Sequence, residues 1–227
     1  MIQKFIHKLT INKLRSSELR QHQPFISTYE VAKTLQDHQV DYLAVAVADE
    51  GVELRKAGIT CPIIIMNPEL TAFKSMFDYR LEPEVYSVYL LEKLVKAAEK
   101  EGVTNFPVHI KLDTGMHRLG FAPEDIPQLI ERLKHQSAVM PRSVFSHLVG
   151  SDSTRFDEFT RSQIQVFEKA SQELQDAFPH KILRHICNTA GIERYTDAQY
   201  DMVRLACDKV LLRPGPAGSP ARSRGVH

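Results

Sequence analysis

Short apolar runs and amphipathic stretches alternate along most of this chain. A helical pattern covers Tyr29–His38, an apolar run follows at Tyr42–Val47, and an amphipathic stretch at Asp49–Ala57 closes on Gly58. Then come an apolar Pro62–Met66, a loop at Asn67-Pro68, and a helical Thr71–Phe77. Val85–Ser87 reads as a short strand and Leu90–Lys100 as a helix ending at Gly102. A run from Phe106 to Leu112 reads as a strand, Asp125–His135 as a helix, and Ser143–Leu148 as a strand. A long charged helix spans Glu158–Ala177, and Ile182–Cys187 and Tyr200–Leu205 read as two further strands. Short Val- and Ile-rich runs between longer helical patterns predict βα units and a parallel sheet. Seven candidate strands nearly complete a (β/α)8 barrel. A doubly wound sheet is the competing architecture, but no Gly-x-Gly-x-x-Gly follows an early strand to support a dinucleotide fold.

Composition narrows the classes. The chain has 227 residues, enough for one large domain, with 43% hydrophobic and 25% charged residues. No run approaches the ~18 apolar residues of a membrane span, and Met1 to Leu19 lacks the apolar core of a secretory signal. Cys61, Cys187 and Cys207 are odd in number and scattered, which fits neither a disulfide framework nor a zinc site. A reducing, cytoplasmic setting is expected, with no metal. The net charge of +1 is uneven: residues 1–24 carry +4 and residues 209–227 carry +4, leaving the middle at −7. Basic ends can bind nucleic acid, but these lack interleaved aromatics and clustering, so no nucleic-acid partner is expected. The Pro/Gly/Ser/Arg-rich end cannot bury a core, and 207–227 reads as a disordered tail.

Chemistry gathers where strands end, the usual location of active sites in α/β folds. His109, Lys111 and Asp113 alternate, so they share a face. A lysine there must pair or change its charge, and a Lys111–Asp113 structural pair is the simplest outcome. Arg118 follows in the Gly-containing turn. His147 follows an apolar run, where a histidine is more often a satisfied core residue than a catalytic one. His185-Ile186-Cys187-Asn188-Thr189-Ala190-Gly191 ends a strand in small polar residues. Such a loop can cradle a phosphate or simply cap a helix. Arg204 lies near the end of the last strand.

The order of these segments is more specific than any one of them. Lys111-Leu112-Asp113-Thr114-Gly115-Met116-His117-Arg118-Leu119-Gly120-Phe121, then Ser146-His147-Leu148, then His185 to Ala190, then Asp201-Met202-Val203-Arg204 closely resembles the barrel domain of alanine racemases. Asp41 to Arg55 adds to the likeness, which covers about Tyr29 to Leu205 and looks most like the racemase half of fusions with a cell-wall ligase. The resemblance implies a (β/α)8 barrel, pyridoxal 5'-phosphate (PLP) as cofactor, alanine as substrate, a role in peptidoglycan synthesis and a homodimer. Lys111 matches a lysine that is often carbamylated, its carbamate holding Arg118. Arg118 matches an arginine near the cofactor's phenolic oxygen and the substrate carboxylate. His147 matches a cofactor-pocket histidine, Asn188 and Thr189 the phosphate loop, and Arg204 the arginine facing the pyridine nitrogen. His185 matches the support of that arginine.

The sequence departs from the family at both ends. Counting back from Tyr29 puts Arg20 near the position of the Schiff-base lysine, and the phosphate-gripping tyrosine is missing. After Arg204 the family's Gly-Ile-x-x-Tyr-Gly turn and β-domain are replaced by other sequence. Three segments are therefore expected: an atypical 1–27, a racemase-like barrel at 28–206 incomplete at its N-terminal strands, and the tail. Replaced, for instance out-of-frame, ends around a genuine core would account for this. The expected chain is a truncated, inactive racemase-family protein. A non-catalytic PLP-binding single-domain barrel and a non-functional fragment are the alternatives.

Overall fold

The computed structural model describes residues 4–8 and 28–206. Eight strands run parallel: β1 (Lys4–Lys8), β2 (Tyr42–Val45), β3 (Ile63–Ile65), β4 (Leu81–Val85), β5 (Phe106–Lys111), β6 (Val139–Phe145), β7 (Leu183–His185) and β8 (Met202–Ala206). Seven helices follow the first seven strands in turn: α1 (Thr28–Asp37), α2 (Ala48–Lys56), α3 (Phe73–Asp78), α4 (Val88–Lys100), α5 (Ile126–Lys134), α6 (Asp157–Asp176) and α7 (Thr189–Arg194). The sheet order is β7-β6-β5-β4-β3-β2-β1-β8. This is a (β/α)8-type barrel, as the alternation predicts. It is incomplete as a ring of ladders. No ladder joins β7 to β8; two backbone bonds, Asp201 N to Arg184 O and Arg204 N to Cys187 O, both 3.0 Å, bridge them. On the N-terminal side, β1 meets β2 over only three register pairs. Arg20 and the 207–227 tail lie outside the described residues.

Alternation along each strand splits the molecule into two layers. Leu43, Val45, Ile63, Ile65, Leu81, Val85, Val108, Ile110, Val144 and Val203 join the large core beneath the helices. The intervening residues face the lumen. Its apolar floor is a small cluster of Tyr42, Ala44, Ile64, Leu183 and Met202. Above that floor the lumen is polar: Glu84, His109, Lys111, Ser143, His185 and Arg204 are all buried.

Local chemistry explains the helices. Ser87 caps α4, its Oγ accepting from Leu90 N at 3.2 Å, while Leu90, Leu91, Leu94 and Ala98 face the core. Within α2, Gly51 lies so close to Leu81 that a Cβ would sit 2.9 Å from its methyl carbons. Arg55, also on α2, donates to the carbonyls of Ile59, Cys61, Tyr79 and Arg80 and pins the connections to β3 and β4.

Two strands sit earlier than the hydrophobic pattern predicts. The strand expected at Val85–Ser87 is Leu81–Val85, because Ser87 is already a helix cap and Glu82 and Glu84 point inward. The strand expected at Ser143–Leu148 is Val139–Phe145. Pro141 and Arg142 disguise its start. The register skips from Val108 opposite Pro141 to His109 opposite Ser143, so Arg142 is an extra residue. A bulge tolerates Pro in a sheet, and this one brings Ser143 opposite His109.

Candidate active site at the carboxyl end of the barrel

β5 ends at Lys111, and the chain then folds back on itself. Asp113 N donates to Phe121 O at 2.8 Å, and Phe121 N donates to Lys111 O at 2.9 Å. Gly120 makes this closure possible. Its φ is +133°, and a Cβ there would lie 2.5 Å from Asp113 N. Asp113 Oδ1 accepts from the backbone N–H groups of Gly115 (2.9 Å) and His117 (3.0 Å). Burial opposes its ionisation, but those two bonds and the His117 ring outweigh that and hold the carboxyl below its ordinary value. Asp113 is thus spent on the turn and does not pair with Lys111, which corrects the expected Lys–Asp pair. The strand's alternation stops at Lys111, so Asp113 no longer shares its face.

Lys111 pairs instead with Glu84 of β4, Nζ to Oε1 at 2.9 Å. Its Nζ also lies 5.7 Å from the centre of the Phe145 ring. The same ring stacks on His185 (4.9 Å, 7°) and meets the Arg204 guanidinium at 5.1 Å. Phe145 is therefore the apolar plate around which β5, β7 and β8 bring their polar groups.

A second chain of contacts crosses five strands. Arg204 Nη1 meets His185 Nδ1 at 2.8 Å, and His185 Nε2 meets Ser143 Oγ at 3.1 Å. Ser143 Oγ meets His109 Nδ1 at 2.6 Å, and His109 Nε2 meets Glu82 Oε2 at 2.8 Å. Guanidinium has no acceptor, so His185 Nδ1 must accept and its proton sits on Nε2. That proton goes to Ser143, Ser143 gives its own to His109, and His109 gives its Nε2 proton to Glu82. Burial, then Arg204, then His109 hold His185 well below its ordinary value, so it is neutral. Burial lowers Arg204 to about 10, still protonated at neutral pH. Arg204 Nη2 also donates to the carbonyls of Ser146 (2.5 Å) and Ile186 (3.3 Å).

The neighbouring loops are tied to the same end. Ser146 Oγ donates to Leu112 O and meets Thr114 Oγ1, both at 2.8 Å. Gln163 of α6 bridges His147 O (3.1 Å) and Val149 N (3.1 Å). Asn188 caps α7, its Oδ1 accepting from Gly191 N (2.9 Å) and Ser151 Oγ (2.8 Å) while its Nδ2 donates to Leu148 O (3.0 Å). The capping role that the sequence allowed for Asn188 is the one observed.

Among the predicted site residues, Lys111 and Arg204 meet around Phe145. His147 and Thr189, both half-buried, follow closely on the carbonyls of Ser146 and Ile186 that accept from Arg204, Thr189 as the first residue of α7. Arg118 is exposed and makes no hydrogen bond or ion pair among the described residues, so no contact joins it to Lys111. Glu82, Glu84, Ser143 and Phe145 were not anticipated. The signal for the glutamates was the alternation of Leu81, Glu82, Pro83, Glu84 and Val85, which reads as a strand with two inward acids.

Residues 26–205 match the family model described as alanine racemase, N-terminal domain. The chain belongs to the alanine racemase family. Alanine racemase 1 of Clostridium acetobutylicum is 37% identical over 177 residues, which are 77% of this chain and 45% of that protein. The alanine racemase of Treponema denticola is 36% identical over 185 residues, 80% of this chain and 48% of that protein. The structure of the Clostridium difficile 630 alanine racemase in complex with cycloserine superposes with a TM-score of 0.77 at 30% identity, covering 89% of this chain and 53% of that one. The chain thus spans about half the length of the curated relatives it matches. No helix among the described residues is long and apolar enough to cross a membrane.

Proposed function

We propose that this barrel is the PLP-holding half of an alanine racemase, an isomerase acting on L- and D-alanine for peptidoglycan synthesis in the cytoplasm, and that this chain alone does not racemise alanine. The observation that carries the first part is the meeting of Lys111, His185 and Arg204, from three strands, around the Phe145 ring. Four bonded groups fix Arg204 in place, and it stays charged at neutral pH. A guanidinium so held can accept no proton and gives none readily, which suits a partner for an unprotonated pyridine nitrogen. Thr189 offers a hydroxyl to the phosphate, Asn188 holds that loop in shape, and His147 lines the pocket. Arg118, exposed on its turn, is free to meet a substrate carboxylate through its planar fork. When bound, PLP supplies the electron sink for the substrate carbanion.

The donor set fits the cofactor's ring and phosphate better than its aldehyde, because Lys111 is held by Glu84. A PLP titration tests the fit itself: Arg204→Ala is expected to weaken binding about tenfold, roughly 1.4 kcal/mol. Absence of binding by the unaltered chain refutes the first part. Arg20 stands near the place of the family's Schiff-base lysine and cannot form that linkage, so D-alanine formation is expected to stay at background even with PLP bound. Rapid formation of D-alanine refutes the second part.

A further inference from the structure

Family likeness leads one to expect a carbamate on Lys111. The lumen is built for the opposite charge. Glu84 is fully buried, and its Oε1 lies 2.9 Å from Lys111 Nζ. Lys111 is itself only 6% exposed, so little solvent screens the pair. On another side, Nζ is 5.7 Å from the centre of the Phe145 ring. The face of an aromatic ring is negative, so it favours a cation and disfavours an anion. Two neighbours of different chemistry, on β4 and β6, therefore select the ammonium form.

Carbamylation would reverse this arrangement. The ammonium would lose one proton to free its lone pair. That pair would form an N–C bond to carbon dioxide, one C=O pair would move onto oxygen, and a second proton would leave nitrogen. The group would change from +1 to −1 beside the Glu84 carboxylate and near the ring face. Like charges at that distance in a buried site repel strongly.

We propose that Lys111 remains an uncarbamylated ammonium ion and that Glu84 is the built-in anion that a carbamate would otherwise supply. A second consequence concerns Arg118. With no carbamate on Lys111 to hold it, its exposed position is its resting one. The proposal concerns this chain's own residues and holds whether or not the barrel binds PLP.

The full chain is equilibrated with 13C-labelled bicarbonate, and its carbamate region is read by 13C NMR. A trialkyloxonium reagent then traps any carbamate as an ester, and peptide mapping locates it. No carbamate is expected on the peptide carrying Lys111. A trapped ester at Lys111 overturns the proposal, and this reading needs no variant to fold. A double-mutant cycle tests the pair directly. Glu84→Gln and Lys111→Met each leave one partner buried without its counterpart, whereas the double variant removes both. The double variant is expected to melt above at least one of the singles. Losses in melting temperature that simply add overturn the assignment of Glu84 as the counterion.

Discussion

Arg204 sets the proton inventory of the lumen because it can only give hydrogen bonds. With His185 forced to accept, Ser143 becomes the link on which both histidines depend. Ser143→Ala strands two ring nitrogens in a buried site, which should cost about 1–3 kcal/mol for each unsatisfied group. Long-range 1H–15N spectra of the imidazoles are expected to show Nε2–H on both histidines in the unaltered chain. An Nδ1–H form of His185 contradicts the chain of donors. His185 also gives a pH dependence. Its folded value is depressed below 6.5, so the unfolded chain binds the extra proton first. The stability it contributes is full above that value and falls as pH drops below it, by up to ~1.4 kcal/mol per pH unit for one proton. Melting temperatures measured downward from pH 7 should decline accordingly, and a flat profile refutes the neutral assignment. At this scale the sequence disclosed Lys111, His185 and Arg204 through their place at strand ends. It hid Glu82 and Glu84, because acids near a proline resemble a loop until the strand's inward face is known. Ser143 was hidden too, since only the bulge at Arg142 brings it to His109.

Among the elements, the closed turn after β5 depends most on a single residue. Gly120 has a φ that other residues rarely adopt, and a side chain there would strike the backbone of Leu112 and Asp113. Gly120→Ala should destabilise by about 1–3 kcal/mol through strain alone. It should also loosen the loop carrying Arg118, seen as faster amide exchange at Asp113 and Phe121. Asn188→Ala is expected to cost roughly 0.5–2 kcal/mol as a lost cap, read as a lower melting temperature. Helices were the most legible elements, because their apolar stripes are long: α4, α5 and α6 fall within two residues of their expected limits. Strands of three to seven residues gave weaker boundaries, and β4 and β6 shifted toward the N-terminus because polar residues facing a lumen break the apolar run.

For the whole molecule, alternation of short apolar runs and helices was enough to predict a barrel, since few architectures accept that order. What it could not supply was β1. Lys4–Lys8 carries two lysines and a histidine in five residues, so its pattern does not separate from the basic segment around it. Its place is evident only from its neighbours, three register pairs to β2 and five to β8. Removing residues 1–8 would leave β8 with the two backbone bonds to the β7 side as its sheet contacts. Such a variant is expected to lose cooperative melting and to bind PLP no better than Arg204→Ala does. Unchanged melting would show that β1 is dispensable.

The meeting of β1 with β8 also bears on how the protein is made. Of the barrel's strands β1 is made first and can pair with β2 almost at once, but its other edge stays open until β8, the last strand of the barrel, has been synthesised. For that interval a bare backbone edge is available to any other nascent copy. Yield of soluble protein should therefore depend on translation speed and on holding chaperones more than the stability of the finished barrel would suggest.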